Sequence, residues 1–268
     1  MAFTVPDYFR VKEVTGFAEL AARPFADGIN ALCWPRTLSG DFASVVQLLD
    51  RQRRAPDLLM PGLDALRPGS LDQNPSENEG LTSIEPTALE CLLNLPPSSF
   101  VLKPATRAAI NVLLEDLRLL RDLNRDPVLN LIHGYSRDDT DSPVRTDVFS
   151  FHADSAPIAA DTWLCTYHGP PSEGLRNDDA VRKIDVPEIR AELLTLHGGD
   201  DDEAFREFLQ ENHFDLHYAA IAGAPPYSFG HFNFWRIACD YPGAPVPPCI
   251  HRAPSPSQDD PPRLLLIS

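Results

Sequence analysis

Apolar residues recur at helical spacing in four stretches of the chain. The longest stretch, residues 104–123, opens with Pro104, which suits the first turn of a helix, and continues as an apolar stripe. The other three stretches are residues 41–53, 186–196 and 201–213. This spacing predicts four helices, the longest of which should cover one side of a sheet.

A different pattern begins near residue 127. Short runs rich in β-branched and aromatic residues are separated by turn residues, and each run is typical of a strand. These runs are residues 127–134, 146–154, 161–168, 232–239, 246–252 and 263–267. Because the helices at 186–213 fall between the third and the fourth run, the sequence predicts an α+β fold with a helical insertion between core strands.

One stretch has neither the helical spacing nor the strand-like runs. Residues 55–80 are rich in Pro, Gly, Asn and Asp and have few periodic apolar residues, which predicts a long flexible loop. The chain has 268 residues, of which 43% are hydrophobic, and it is therefore long enough to bury one sizeable core. We predict a single domain over residues 1–268, with this loop and the helical insertion as excursions from it.

The charge of the chain limits its partners. The chain contains 39 Asp and Glu against 23 Lys and Arg, a net charge of −16. Such a charge repels a nucleic-acid backbone and an anionic membrane surface, so we expect neither as a partner. It keeps a protein soluble and could also favour a cationic substrate. Since the sequence shows no secretory signal and no apolar run long enough for a membrane span, we expect a cytoplasmic protein.

Three residues in the strand-rich part have the chemistry of a metal site. His152 and Asp154 stand two positions apart, and because strand side chains alternate between faces, both can point to the same side. A second histidine, His251, lies far along the chain in another predicted strand. Two histidines and one carboxylate form the facial triad that binds Fe(II) and leaves three coordination positions vacant. The sequence therefore predicts a metal site made of these three residues.

A cation opens the final predicted strand. Arg263 precedes an apolar run at residues 264–267. A guanidinium at this place can hold the distal carboxylate of 2-oxoglutarate in a bidentate pair, while the other end of the co-substrate chelates the iron. We therefore predict Arg263 to be the anchor of 2-oxoglutarate.

These motifs resemble those of the Fe(II) and 2-oxoglutarate-dependent oxygenase superfamily. Its pattern is HxD, then a distant His, then an Arg or Lys on the last core strand. The segments 151–154, 164–171 and 251–254, followed by 263–266, are also similar to a bacterial family, the domain of unknown function family 1826. Residues 32–36 resemble the N-terminal signature of that family, so the likeness touches both ends of the chain.

The resemblance implies a fold, a cofactor and a co-substrate. The fold would be a double-stranded β-helix, a jelly-roll of the cupin-like kind, with flanking helices. Fe(II) would bind His152, Asp154 and His251, and Arg263 would anchor 2-oxoglutarate with help from Tyr167 or Thr166. One position departs from the family pattern. Many members have Ser two residues after the Arg, whereas this chain has Leu265, so the second hydrogen bond to the carboxylate must come from elsewhere or be missing.

The implied activity is that of a dioxygenase. Its partners would be dioxygen and a small-molecule or amino-acid-like substrate, which it would hydroxylate or otherwise oxidise. We expect residues 186–213 and the loop 55–80 to supply a lid over the site. The sequence does not indicate an oligomeric state.

Two other functions stay open at the level of sequence. The first is a cupin-type metalloenzyme that uses the same barrel and metal without 2-oxoglutarate, and the position of Arg263 distinguishes it from an oxygenase. The second is a non-catalytic metal-binding or sensing protein with a filled coordination sphere. An additional ligand such as His168 or His231 would favour that second alternative.

Overall fold

A computed structural model describes residues 4–54, 80–94, 101–138, 140–255, 257 and 259–268. Two β-sheets and six α-helices make up this described part, which has the predicted α+β character. The loop predicted at 55–80 lies outside the described residues except for Gly80.

The helices fall close to the four predicted stretches, with two more in the N-terminal half. They are α1 (Phe17–Ala22), α2 (Phe42–Arg54), α3 (Pro86–Leu93), α4 (Pro104–Arg121), α5 (Pro187–His197) and α6 (Glu203–Glu211). Proline occupies a first-turn position in α3, α4 and α5, where its missing N–H leaves no hydrogen bond unmade. In α6 the side chain of Asp202 accepts hydrogen bonds from the first-turn N–H groups of Ala204 and Phe205.

Thirteen strands are present in the described residues. They are β1 (Val11–Glu13), β2 (Ala31–Trp34), β3 (Leu81–Ile84), β4 (Val128–Ile132), β5 (Phe151–His152), β6 (Asp161–His168), β7 (Glu173–Leu175), β8 (Ala180–Arg182), β9 (His217–Ala220), β10 (Tyr227–Ser228), β11 (Phe234–Ala238), β12 (Ile250–Arg252) and β13 (Arg263–Ile267). Strands β6 and β13 have the predicted bounds. Strand β5 is shorter than predicted, because the side chain of Asp147 accepts from the N–H groups of Phe149 and Ser150 and holds a turn there.

The strands form two sheets. The seven-stranded sheet has the order β1-β2-β11-β6-β13-β4-β3, and the six-stranded sheet has the order β10-β7-β12-β5-β9-β8. All pairings of neighbouring strands are antiparallel except that of β1 with β2. Gly174 on β7 lies under the ring of Tyr227, where an added Cβ would come within 2.2 Å of the ring. Only glycine therefore allows this close approach.

The two faces of the seven-stranded sheet bury different sets of side chains. On β6, Trp163, Cys165 and Tyr167 pack into a large apolar cluster with residues of α2, α3 and α4. Leu164, on the alternate face of the same strand, belongs to a second cluster that combines residues of both sheets. The helices therefore cover one face, as predicted for the longest helix, and the second face is turned toward the six-stranded sheet.

Helices α5 and α6 lie between β8 and β9 in the chain and have their own small apolar cluster. Leu193 of α5 and Phe205 of α6 pack there with Val144, Ile184 and Phe214. Among the described helices, none combines the length and the apolar character that crossing a membrane requires.

Candidate metal centre

The two predicted histidine ligands meet across neighbouring strands. His152 on β5 and His251 on β12 are direct antiparallel partners in the six-stranded sheet. Side chains of directly opposed residues share one face of a sheet and stand close together. Asp154 follows His152 by two positions, and its carboxylate reaches the same place. The register of β5 and β12 therefore brings three residues together that are distant in the sequence.

The ligand atoms of these residues are close enough to share one ion. One ligand atom from each of His152, Asp154 and His251 lies within 4.8 Å of the others. The carboxylate oxygens of Asp154 are 4.0 Å from Nε2 of His152 and 3.8 Å from Nε2 of His251. These separations are too long for direct hydrogen bonds. Ligand atoms that share one ion at about 2 Å are about 3 Å apart, so small movements of the three side chains would bring them onto a common cation.

Backbone and side-chain contacts orient the ligands. Nδ1 of His152 donates to the carbonyl oxygen of Ser150 at 2.7 Å, which leaves Nε2 directed toward Asp154. Nδ1 of His251 lies 3.4 Å from the carbonyl oxygen of Cys249. The hydroxyl of Thr162 on β6 donates to Asp154. Such contacts beyond the ligands fix the imidazole tautomer and the carboxylate orientation at metal sites.

The protonation states suit metal binding. Burial, followed by the nearby charge of His251, lowers the pKa of His152 to about 4. Burial by itself would raise the pKa of Asp154, but the charge of His251, the hydrogen bond from Thr162 and the charge of His152 together bring it below its ordinary value. Near neutral pH, His152 is therefore neutral and Asp154 is ionised, which are the forms that bind a metal.

A cavity of about 240 Å³ contains the three ligands and also Arg263. Its remaining walls come from both sheets and from the segments that join them. These walls are formed by Leu81, Asn130, Ile132, Tyr135, Val148, Leu164, Ser172, Arg252, Ala253, Leu265 and Ile267. The structure thus places the predicted metal ligands and the predicted anchor for the co-substrate in one cavity.

Arg263 is a buried cation held by hydroxyl groups. It is 6% exposed, and its guanidinium donates to the hydroxyl oxygens of Tyr135 at 2.9 Å and Ser172 at 3.0 Å. Its Nε has no hydrogen-bond partner, and no carboxylate among the described residues forms an ion pair with it. Burial lowers the pKa of Arg263. A buried guanidinium without a counter-ion is a site that favours a carboxylate.

The two helper residues suggested by the resemblance lie on opposite faces of β6. The hydroxyl of Tyr167 donates to Asp116 of α4, on the face covered by helices. It is therefore directed away from the cavity. Thr166 is on the alternate face and is 2% exposed, and its hydroxyl oxygen has no partner in the described part of the chain. Neither residue lines the cavity.

The other residues singled out in the sequence have different neighbours. His168 and His231 bond to the carbonyl oxygens of Pro262 and Gly169 and line a separate surface pocket. Within the described residues, neither belongs to the group around Asp154. Arg252 lines the metal cavity and forms an ion pair with Glu173 on the neighbouring strand β7 at 2.7 Å.

Three residues of the site were not found from the sequence. Tyr135 and Ser172 contact Arg263, and Thr162 contacts Asp154. Tyr135 and Ser172 lie in turns that follow strands, where no hydrophobic period points to a face. Of the three, Thr162 could have been identified from the sequence, because strand alternation places it on the same face of β6 as Leu164.

The residues present fit both parts of the expected ligand set. Two imidazole nitrogens and one carboxylate suit Fe(II), although manganese, cobalt or nickel would accept the same ligands. The buried guanidinium with its unpaired Nε suits a carboxylate. Comparisons of this chain with known protein families, with curated proteins and with solved structures gave no significant match.

Proposed function

We propose that this chain is a non-haem Fe(II) and 2-oxoglutarate-dependent dioxygenase that hydroxylates or otherwise oxidises a small-molecule or amino-acid-like substrate. One observation carries the proposal. The His152, Asp154 and His251 group and the buried, unpaired guanidinium of Arg263 line the same cavity. A metal site alone needs no such cation, whereas a metal site that also binds a dicarboxylate does.

The strand order supports a double-stranded β-helix as the core of this enzyme. Strands β4 to β7 alternate between the two sheets, β10 stays in the second sheet, and β11 to β13 alternate again. Within the sheets these strands are ordered β4-β13-β6-β11 and β5-β12-β7-β10. Eight strands that interleave in this way are typical of jelly-rolls. Strands β1, β2 and β3 extend the edges of the first sheet, and β8 and β9 extend the second.

Each residue of the site has a distinct role in this proposal. His152, Asp154 and His251 would hold the metal. When bound, Fe(II) with 2-oxoglutarate supplies the oxidising chemistry. Arg263 binds the distal carboxylate of 2-oxoglutarate.

The hydroxyl groups beside Arg263 replace the serine that is missing at Leu265. A guanidinium has only donors, so the oxygens of Tyr135 and Ser172 must accept from Arg263. Each hydroxyl then keeps its own hydrogen for donation to another group. A carboxylate placed at Arg263 is the acceptor that uses both hydrogens.

The two alternatives receive less support. A cupin-type enzyme without 2-oxoglutarate does not require Arg263 in the metal cavity. A sensing protein with a filled coordination sphere would need a further ligand, and His168 and His231 bond to backbone oxygens in a separate pocket.

The proposal is tested by anaerobic titration of the Fe(II)-loaded protein with 2-oxoglutarate. We expect a weak visible charge-transfer band in the wild type and a much weaker band in Arg263→Ala. The matched control is Arg206→Ala, which removes an exposed guanidinium that is paired with Glu203 on α6, and which should titrate as the wild type does. A metal-loaded wild type without a band would refute the oxygenase function and favour the alternatives.

A further inference from the structure

Among the residues that the structure describes, few charged side chains line the cavity of the candidate metal site. Apart from the histidines, they are Asp154, Arg252 and Arg263. Arg252 is neutralised, because its guanidinium donates to the carboxylate of Glu173 from Nε at 2.8 Å and from Nη2 at 2.7 Å. Asp154 and Arg263 are therefore the charged side chains of the described wall that remain available to a ligand.

The proposed metal and co-substrate would neutralise these charges. A divalent metal at Asp154 and a dicarboxylate at Arg263 bring two positive and two negative charges, and Asp154 and Arg263 bring one of each. The filled site is therefore neutral in total. Before the co-substrate enters, the same site has a surplus of two positive charges.

The rest of the wall is mostly apolar. Leu81, Val148 and Ile267 contribute aliphatic groups, and Val148 and Ile267 are 37% and 36% exposed, which places them at the mouth. Besides the hydroxyl groups of Tyr135 and Ser172 at Arg263, the uncharged polar side chain in the described wall is Asn130, whose amide oxygen lies 3.3 Å from the hydroxyl of Ser83. The walls that the structure describes favour apolar groups and offer no further counter-ion to a charged one.

We infer that the substrate is a small, uncharged and largely apolar molecule, and that the cavity selects against charged molecules once 2-oxoglutarate is bound. This inference rests on the proposed function and narrows its substrate to an uncharged small molecule, which leaves out zwitterionic amino-acid-like compounds. A charged substrate would bring an uncompensated charge into a largely apolar cavity. The acidic surface of the protein does not alter this preference, because charges in water are screened over about 8–10 Å.

The test uses three probes with the same six-carbon chain and a neutral, a negative or a positive headgroup: hexanamide, hexanoate and hexylammonium. The protein is loaded with Mn(II), and relaxation of the terminal methyl protons of each probe is measured by NMR, with Zn(II)-loaded protein as the diamagnetic reference. Each probe is measured without and with saturating 2-oxoglutarate. The readout is binding near the metal and needs no turnover.

We expect 2-oxoglutarate to reverse the order of binding. Without it, hexanoate should be relaxed most, because its carboxylate meets the positive surplus. With it, hexanamide should bind about tenfold more tightly than either charged probe. Equal or tighter binding of hexanoate or hexylammonium in the presence of 2-oxoglutarate would overturn the inference, and so would the absence of relaxation for all three probes.

A variant with a new charge at the mouth gives a second test. Ile267→Asp should shift the preference toward hexylammonium, whereas Leu196→Asp should leave it unchanged, because Leu196 is exposed on α5 and outside the cavity. An unchanged preference in Ile267→Asp would also overturn the inference.

The failure of the proposed function has a different signature. In that case the methylene protons of 2-oxoglutarate are themselves not relaxed by Mn(II), and the substrate inference falls with the proposal. If they are relaxed and the charged probes still bind best, only the substrate inference is lost.

Discussion

Arg263 is a buried cation whose described hydrogen-bond partners are two hydroxyl groups. Removing a guanidinium from water costs several kcal/mol, and hydroxyl oxygens return less of this than a carboxylate would. The ligand-free protein therefore holds Arg263 at a cost to its stability. A ligand carboxylate would remove that cost, so the proposed co-substrate should stabilise the fold through Arg263.

Replacement of Arg263 by an apolar side chain of similar length should separate binding from stability. In Arg263→Met we expect the free energy of unfolding of the ligand-free protein to stay the same or to rise by about 1 kcal/mol, because an unpaired buried charge is lost. Binding of 2-oxoglutarate should be lost at the same time. Urea unfolding and the anaerobic titration measure the two effects. A large loss of stability would show instead that Arg263 is a structural residue.

The hydroxyl groups beside Arg263 should contribute to co-substrate binding. In Tyr135→Phe and in Ser172→Ala, each lost hydrogen bond to a charged group should weaken 2-oxoglutarate binding by about tenfold. Isothermal titration of the metal-loaded variants measures this. Tyr167→Phe is the matched control, because its hydroxyl donates to Asp116 on the other face of the sheet. An equal loss in Tyr167→Phe would contradict the assignment of Tyr135 and Ser172.

At the scale of elements, α4 is fastened to the seven-stranded sheet by a buried polar network. Asp116 of α4 accepts from the guanidinium of Arg36 at 2.8 Å and from the hydroxyl of Tyr167 on β6. Arg36 also donates to the carbonyl oxygen of Phe232 at 2.7 Å. Burial, together with the nearby carboxylate of Asp116, raises the pKa of Tyr167 well above its ordinary value. These contacts join the sheet to the helix that the apolar pattern alone predicts to cover it.

Loss of this carboxylate should destabilise the fold. In Asp116→Ala the guanidinium of Arg36 stays buried without its partner, and we expect a loss of about 3–5 kcal/mol in the free energy of unfolding. Glu115→Ala, one residue earlier, breaks an exposed pair with Arg118 and should cost at most about 1 kcal/mol. Chemical unfolding of both variants measures the difference. Equal losses would mean that the network does not fasten α4.

At the scale of the whole molecule, the residues of the candidate site come from parts of the chain that are distant in sequence. His152 and His251 belong to the six-stranded sheet, and Arg263 belongs to the seven-stranded sheet. A metal at the candidate site would therefore join neighbouring strands of one sheet, whereas a dicarboxylate that also reached Arg263 would join the two sheets. Ligand binding to the native state alone stabilises that state by mass action.

Thermal unfolding should show that 2-oxoglutarate binds only after the metal. A divalent metal at about 100 times its dissociation constant should add about 2.7 kcal/mol, and 2-oxoglutarate should raise the Tm further only when metal is present. In Asp154→Ala both increases should disappear, and chelation should remove both in the wild type. An increase by 2-oxoglutarate in the chelated protein would show that the anion site works without the metal.

Local sequence patterns determined the elements and part of the site. Strand β6 has its predicted bounds because Trp163, Cys165 and Tyr167 alternate with residues of the other face, and a period of two is a property of the strand itself. The HxD spacing identified His152 and Asp154 for the same reason. Helix α4 follows from an apolar stripe with the helical period.

Only the tertiary structure decided which face of a strand points into the cavity and which connecting segments come into contact. Alternation shows that Thr166 and Tyr167 lie on opposite faces, but the packing of α4 against Tyr167 is what turns Tyr167 away from the cavity. Tyr135 and Ser172 meet at Arg263 because the two sheets face each other, and their turns have no periodic pattern that predicts this. The backbone period acts over a few residues, whereas the inward face and the contacts between turns depend on pairing between segments far apart in the chain.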